Sequence, residues 1–83
     1  MIAHLTPRER QILTLAAFSN GQIARRLGVS TQSVKNKWTR IYRKLGLNGG
    51  PNKRIRAVTA ALQWGILFLD ELHPGDRRAY YGE

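Results

Sequence analysis

The sequence predicts an all-α fold of four helices followed by a short C-terminal tail. Helix-start signals recur at Thr6-Pro7 with Glu9, at Ser19 with Gln22, and at Ser30. Each places a side-chain oxygen where the unpaired amides of a first helical turn need an acceptor. Gly28 and Gly46 stand where a left-handed residue ends a helix. Between these punctuation marks the apolar residues recur at helical spacing.

The first helix starts at the Thr6 cap, with Pro7 at a position where its missing N–H costs nothing. Ile12, Leu13, Leu15, Ala16 and Ala17 supply its apolar side, and it is expected to end near Phe18. The second opens at Ser19, runs through Ile23, Ala24 and Leu27, and stops at Gly28. The turn Gly28-Val29-Ser30 leads straight into the third. Ala24 is small enough for two helices to cross closely, Gly28 supplies the turn conformation, and Val29 and Val34 are expected to pack between the helices. Residues 19–45 therefore read as a helix-turn-helix.

The third helix, residues 31–45, contains no Gly or Pro and makes about four turns. Val34, Trp38, Ile41 and Leu45 share one stripe, and Gln32, Lys35, Asn36, Thr39 and Arg43 lie opposite. A charged helix face is ordinarily only the solvated side. Here, however, Lys35, Lys37, Arg40, Arg43 and Lys44 have no acid among them, so the opposite-charge pairs that support an exposed helix are missing. Gln32, Asn36 and Thr39 carry groups suited to base edges. Gln32, Asn36 and Thr39 are thus candidate base readers embedded in cations.

The loop before the fourth helix holds two glycines and a proline but lacks the spacing of a nucleotide P-loop, so it reads as a connector. Lys53, Arg54 and Arg56 then open the helix, against its macrodipole. Phosphate contact by Lys53 and Arg54 would account for two of these cations; a tolerated surface cluster is the competing reading. The helix is expected to span about 52–72 and to be apolar on two sides. Ile55, Val58, Leu62, Ile66 and Leu69 form one stripe, and Ala57, Ala60, Trp64, Leu67 and Phe68 the other. A small monomer has one core, so the second set is the expected homodimer interface. The alternative cover for Trp64 is the tail, residues 73–83, through Tyr80 and Tyr81. Residues 1–72 form the expected domain.

Composition narrows the function. The 83 residues carry 14 Lys and Arg against 5 Asp and Glu, a net charge of +9 and a pI near 11.2, which points to a polyanionic partner. Twelve of the basic residues and only Glu9 among the acids precede Asp70, so the body is the basic unit. With no cysteine, disulfides and thiolate metal sites are excluded. With neither a signal-peptide pattern nor a membrane-length apolar run, a cytoplasmic protein without membrane contact is expected. An enzyme fits poorly: His4 and His73 are far apart in sequence, no nucleophile has an evident base, and Asp70 with His73 gives two potential metal ligands without a third. No cofactor or small-molecule ligand is expected.

The segments LTPRERQIL, SNGQIARRLGVS, SVKNKW and IYRKLG resemble the LuxR-type (GerE-like) DNA-binding domain over residues 5–67. The resemblance implies a four-helix fold whose third helix reads the major groove and whose fourth mediates homodimerisation. It also implies that Lys35, Asn36 and Thr39 face bases, and that positions around Thr31, Gln32, Lys37 and Arg43 lie near phosphates. With the resemblance, the candidate base-contacting residues are Gln32, Lys35, Asn36 and Thr39, and the candidate phosphate contacts on this helix are Thr31, Ser33, Lys37, Arg40 and Arg43. The chain departs from the family pattern at Ala17-Phe18-Ser19-Asn20, which is one residue short, at Gly21, at Lys37 where His is frequent, and in the longer loop Asn48-Gly49-Gly50-Pro51. Neither a receiver nor a ligand-binding domain precedes the helices in these residues, so regulation from upstream in the same chain is not expected. The expected function is a homodimeric, sequence-specific transcription regulator acting on double-stranded DNA, with RNA polymerase a further compatible partner. The alternative is an adaptor that uses its helix-turn-helix for assembly, such as a phage terminase small subunit or a polymerase-binding module resembling sigma region four.

Overall fold

The capping signals do what their spacing promised in the computed structural model, which describes residues 4–47 and 49–73. Helix α1 (Pro7–Thr14) is closed by Thr6 and Glu9 reciprocally: Thr6 Oγ1 accepts from the Glu9 amide at 3.1 Å and Glu9 Oε1 from the Thr6 amide at 2.8 Å. Helix α2 (Asn20–Leu27) has the same arrangement between Ser19 and Gln22, and α3 (Thr31–Lys44) is capped by Ser30 on the Ser33 amide. Gly28, at φ +68°, ends α2 in the left-handed conformation that a side chain resists. Helix α4 (Lys53–Gln63) and a 3-10 turn (Leu69–Glu71) complete the described elements.

The first helix is shorter than expected. It ends at Thr14, and residues 15–18 coil through hydrogen bonds from the Leu15 amide to Ile12 O and from the Phe18 amide to Leu15 O. Leu15 and Phe18, at the two ends of this curl, are both buried.

The fourth helix is also shorter, ending at Gln63 rather than near residue 72. Gly65 adopts φ +72° and the Ile66 amide bonds back to Ala61 O at 2.9 Å, a glycine-dependent helix stop. Beyond it Leu67 drops into the core.

The core joins Ile12 and Leu13 of α1, Ile23 and Ala24 of α2, Val34, Trp38 and Ile41 of α3, and Ala57 and Ala61 of α4, with Leu67 closing it from below. Val29 departs from expectation. It lies at the surface, so the α2–α3 crossing is fixed by Ala24 and Val34.

Among the described residues, two ion pairs tie the elements together. Glu9, fully buried, accepts from Lys44 Nζ at 2.7 Å, so the C-terminal turn of α3 is pinned to α1. Arg10 grips Glu71 with both terminal nitrogens, at 2.7 and 2.8 Å, and donates through Nε to Ile66 O. Burial pushes the Glu9 carboxyl up, but Lys44 and Thr6 outweigh it and hold the group below the usual 4.5. The Arg10 guanidinium and the Phe68 amide likewise lower Glu71.

Both carboxylates therefore stay ionised in the folded state to a lower pH than in the unfolded chain. Their stabilisation is in full force above about pH 4.5 and is lost as the pH falls through the depressed folded values. The midpoint of thermal unfolding should accordingly be level through neutral pH and fall below about pH 4.5, and Glu9→Gln should shrink that acid slope. A slope unchanged in the variant would assign it to other groups.

Candidate nucleic-acid interface

Helix α3 lies across the domain with one side sealed and the other free. Its Val34, Trp38 and Ile41 are buried, while Thr31, Gln32, Lys35, Asn36, Thr39, Arg40 and Arg43 are exposed. Ser33 and Lys37 sit half-buried along one edge. The free face thus contains all four candidate base readers and most of the candidate phosphate contacts.

Two local bonds order the readers. Gln32 Nε2 donates to Asn36 Oδ1 at 3.0 Å, joining two carboxamides one helical turn apart into a single planar-edged unit. The Asn36 amide nitrogen remains a donor and the Gln32 carbonyl an acceptor, the complement of an adenine's N7 and N6. Thr39 Oγ1 donates to Lys35 O at 3.1 Å, which leaves the threonine methyl and an oxygen lone pair outward.

Charge on this face is unpaired. Among the described residues Lys35, Lys37, Arg40 and Arg43 form no ion pair, and Lys44, the cation that does, is turned toward Glu9 on α1. The acid missing from the α3 sequence is thus supplied by α1 for one lysine alone.

Of the two cations expected at the start of α4, only Lys53 is free to meet a phosphate. It is exposed, with Nζ 5.9 Å from the centre of the Tyr42 ring. Arg54 turns inward, a correction to the sequence reading. Its guanidinium donates to Phe18 O and to Asn20 Oδ1 and lies 4.6 Å over the Trp38 ring. The curl after α1 exposes carbonyls that a continued helix would have satisfied, and Arg54 answers them. Arg56 is similarly spent, on Gly49 O at 2.7 Å and Pro51 O at 3.0 Å, holding the loop before α4.

The candidate dimer residues divide. Ala57 and Leu67 are 0% and 1% exposed and belong to the monomer core, so neither is offered to a second subunit. Ala60 is half-buried, and Trp64 and Phe68 are exposed, at 45% and 59%. Ile55 and Leu69, assigned by periodicity to the core side, are exposed at 66% and 73%. Ile55 lies within α4 on the side opposite the buried Ala57 and Ala61, whereas Leu69 lies beyond Gly65, where the helical register no longer says which side a residue faces. The alternative cover by Tyr80 and Tyr81 lies outside the described residues.

Two hollows flank the free face. One, of about 230 Å³, lies between α1 and α3, with Arg8, Ser33 and Lys37 on its rim. The other, of about 290 Å³, lies between α3 and α4 and is lined by Thr39, Tyr42, Arg43, Leu47 and Lys53. Arg8 and Tyr42 were not singled out in the sequence, because the helical wheel of α3 alone does not show what stands beside it.

No group of three His, Asp or Glu residues could hold a metal ion among the described residues, and no described helix is long and apolar enough to cross a membrane.

Comparison with known proteins adds two findings. The family described as "Bacterial regulatory proteins, luxR family" matches residues 3–55. The chain is also 44% identical over 66 residues to the transcriptional regulatory protein YdfI of Bacillus subtilis (strain 168), an overlap covering 75% of this chain and 29% of that protein. The chain thus spans under a third of that relative's length. No solved structure matches.

Proposed function

Because this chain belongs to the luxR family of bacterial regulatory proteins, we propose that it binds a specific double-stranded DNA site as a homodimer in the cytoplasm and regulates transcription there, with α3 in the major groove. The observation that carries the reading is the exposed face of α3, where the bonded Gln32–Asn36 pair stands among cations that form no ion pair among the described residues. In this reading Gln32, Lys35, Asn36 and Thr39 meet base edges. Thr31, Ser33, Lys37, Arg40, Arg43 and Lys53 meet phosphates.

Selection of bound duplexes from a random pool, followed by titration of variants at several salt concentrations, tests the assignment. Asn36→Ala should cost about 1–3 kcal/mol on the selected site, relax preference at one or two base pairs and leave random DNA little affected. Arg43→Ala should weaken both classes of DNA alike and lower the salt slope by roughly one unit. The reverse pattern would mean that the helix has been rotated wrongly in the groove.

The homodimer rests on exposed apolar surface from Ile55, Trp64, Phe68 and Leu69. A two-fold pair would place two α3 helices about 34 Å apart, and the selected site should then be an inverted repeat with half-sites one turn apart. Trp64→Glu should give a folded monomer with much weaker site binding, read by sedimentation. An unchanged dimer would remove Trp64 from the interface, and a larger ring in the parent protein would favour the adaptor reading.

A further inference from the structure

Resting on the DNA-binding reading above, we propose that the hollows on either side of α3 seat one backbone phosphate each, on opposite strands of the duplex. Arg8 grips one strand from α1, and Tyr42 with Lys53 grips the other from the α4 side. Arg8 and Tyr42 thereby become DNA contacts.

The placement follows from dimensions. An α-helix with its side chains is about 10–12 Å across, and the major groove is about 12 Å wide. A helix inserted there fills it, and whatever stands immediately beside the helix meets the strands that form the groove walls. Arg8 beside Lys37 and Ser33 occupies one such position, and Lys53 beside Tyr42 and Arg43 occupies the other.

Charge supports an anion in both. None of Arg8, Lys37, Arg43 and Lys53 forms an ion pair among the described residues. Arg8 and Lys53 also sit in the first turns of α1 and α4, where the helix dipole is unfavourable to a cation and favourable to a phosphate. The residues that serve the fold are elsewhere: Arg10, Lys44, Arg54 and Arg56 each have intramolecular acceptors. Tyr42 is held for the task, its ring stacked on Trp38 with centroids 5.6 Å apart and Lys53 above it. Its hydroxyl is a neutral donor, able to bond a phosphate oxygen without changing the ion count.

That difference gives the test. Arg8→Gln, Lys53→Gln, their double variant and Tyr42→Phe are titrated with the selected and with random duplexes at several salt concentrations. Each single charge change should reduce the slope of log affinity against log salt by roughly one unit, and the double variant by roughly two. Tyr42→Phe should weaken both duplex classes several-fold at an unchanged slope. Base preference should stay that of the parent in all four, and circular dichroism melting should show each folded, as the two cations are exposed. A slope unmoved by either charge variant overturns the two-sided grip, as does a change of base preference in any of them. If the parent chain binds no duplex at all, the DNA-binding reading falls and this inference with it.

Discussion

Leu67→Ala is expected to destabilise the domain by about 2–5 kcal/mol, the range for a buried leucine reduced to a methyl group. A chain of this size has a total stability of roughly 4–12 kcal/mol, so the variant should be substantially unfolded on warming and bind DNA poorly for that reason alone. The argument rests on where the chain puts Leu67. After the stop at Gly65 it enters the core at 1% exposure, against the buried face of α4 made by Ala57 and Ala61. Those two alanines leave a volume that only a larger residue from elsewhere can fill. Urea denaturation decides the matter. A midpoint close to that of the parent, together with loss of self-association, would return Leu67 to the subunit interface.

Arg54→Ala should have the second-largest effect, about 3 kcal/mol. The guanidinium bonds Phe18 O and the Asn20 side chain and stacks on Trp38, so it joins the curl after α1, the start of α2 and the middle of α3 to α4. Hydrogen bonds to a charged group contribute about 1.5–3 kcal/mol and a cation over an indole about 0.5–2, reduced here because the residue is half-exposed. Arg54→Lys should restore little, since an ammonium lacks the flat fork that reaches two acceptors while lying on a ring. Asn20→Ala should cost less, and the double variant less than the sum, as expected for partners in one network. Intact stability with a reduced DNA salt slope would instead place Arg54 on phosphate.

What was legible in the sequence was legible for local reasons. A cap needs a hydroxyl or carboxamide three residues before its target, and Thr6, Ser19 and Ser30 satisfy that within their own segments. The free face of α3 follows from a 14-residue helix with a strict apolar stripe. The errors share a different cause. Leu67 and Leu69 lie beyond the point where α4 ends early, and periodicity applied past such a point assigns faces that no longer exist. Gly65 was the visible warning. Arg54 failed differently: in sequence it is one of three cations within four positions, and only the tertiary placement of the Phe18 carbonyl separates its role from that of Lys53. The partner of Lys44, Glu9, lies 35 positions away and could not be seen from α3 alone.

The clasp between Arg10 and the segment after α4 has a consequence in time. It closes a span of 61 residues, longer than the 35 between Glu9 and Lys44 or the 36 between Phe18 and Arg54, whereas the caps join near neighbours. Long closures are entropically costly to make before other contacts have formed, so the segment carrying Ile66 and Glu71 should dock last as the protein folds. By the same reasoning it should lift first. Arg10 also lies on α1, the helix that carries Arg8 beside α3, so the last docking step and the completion of one wall of the proposed DNA-facing surface should become a single event.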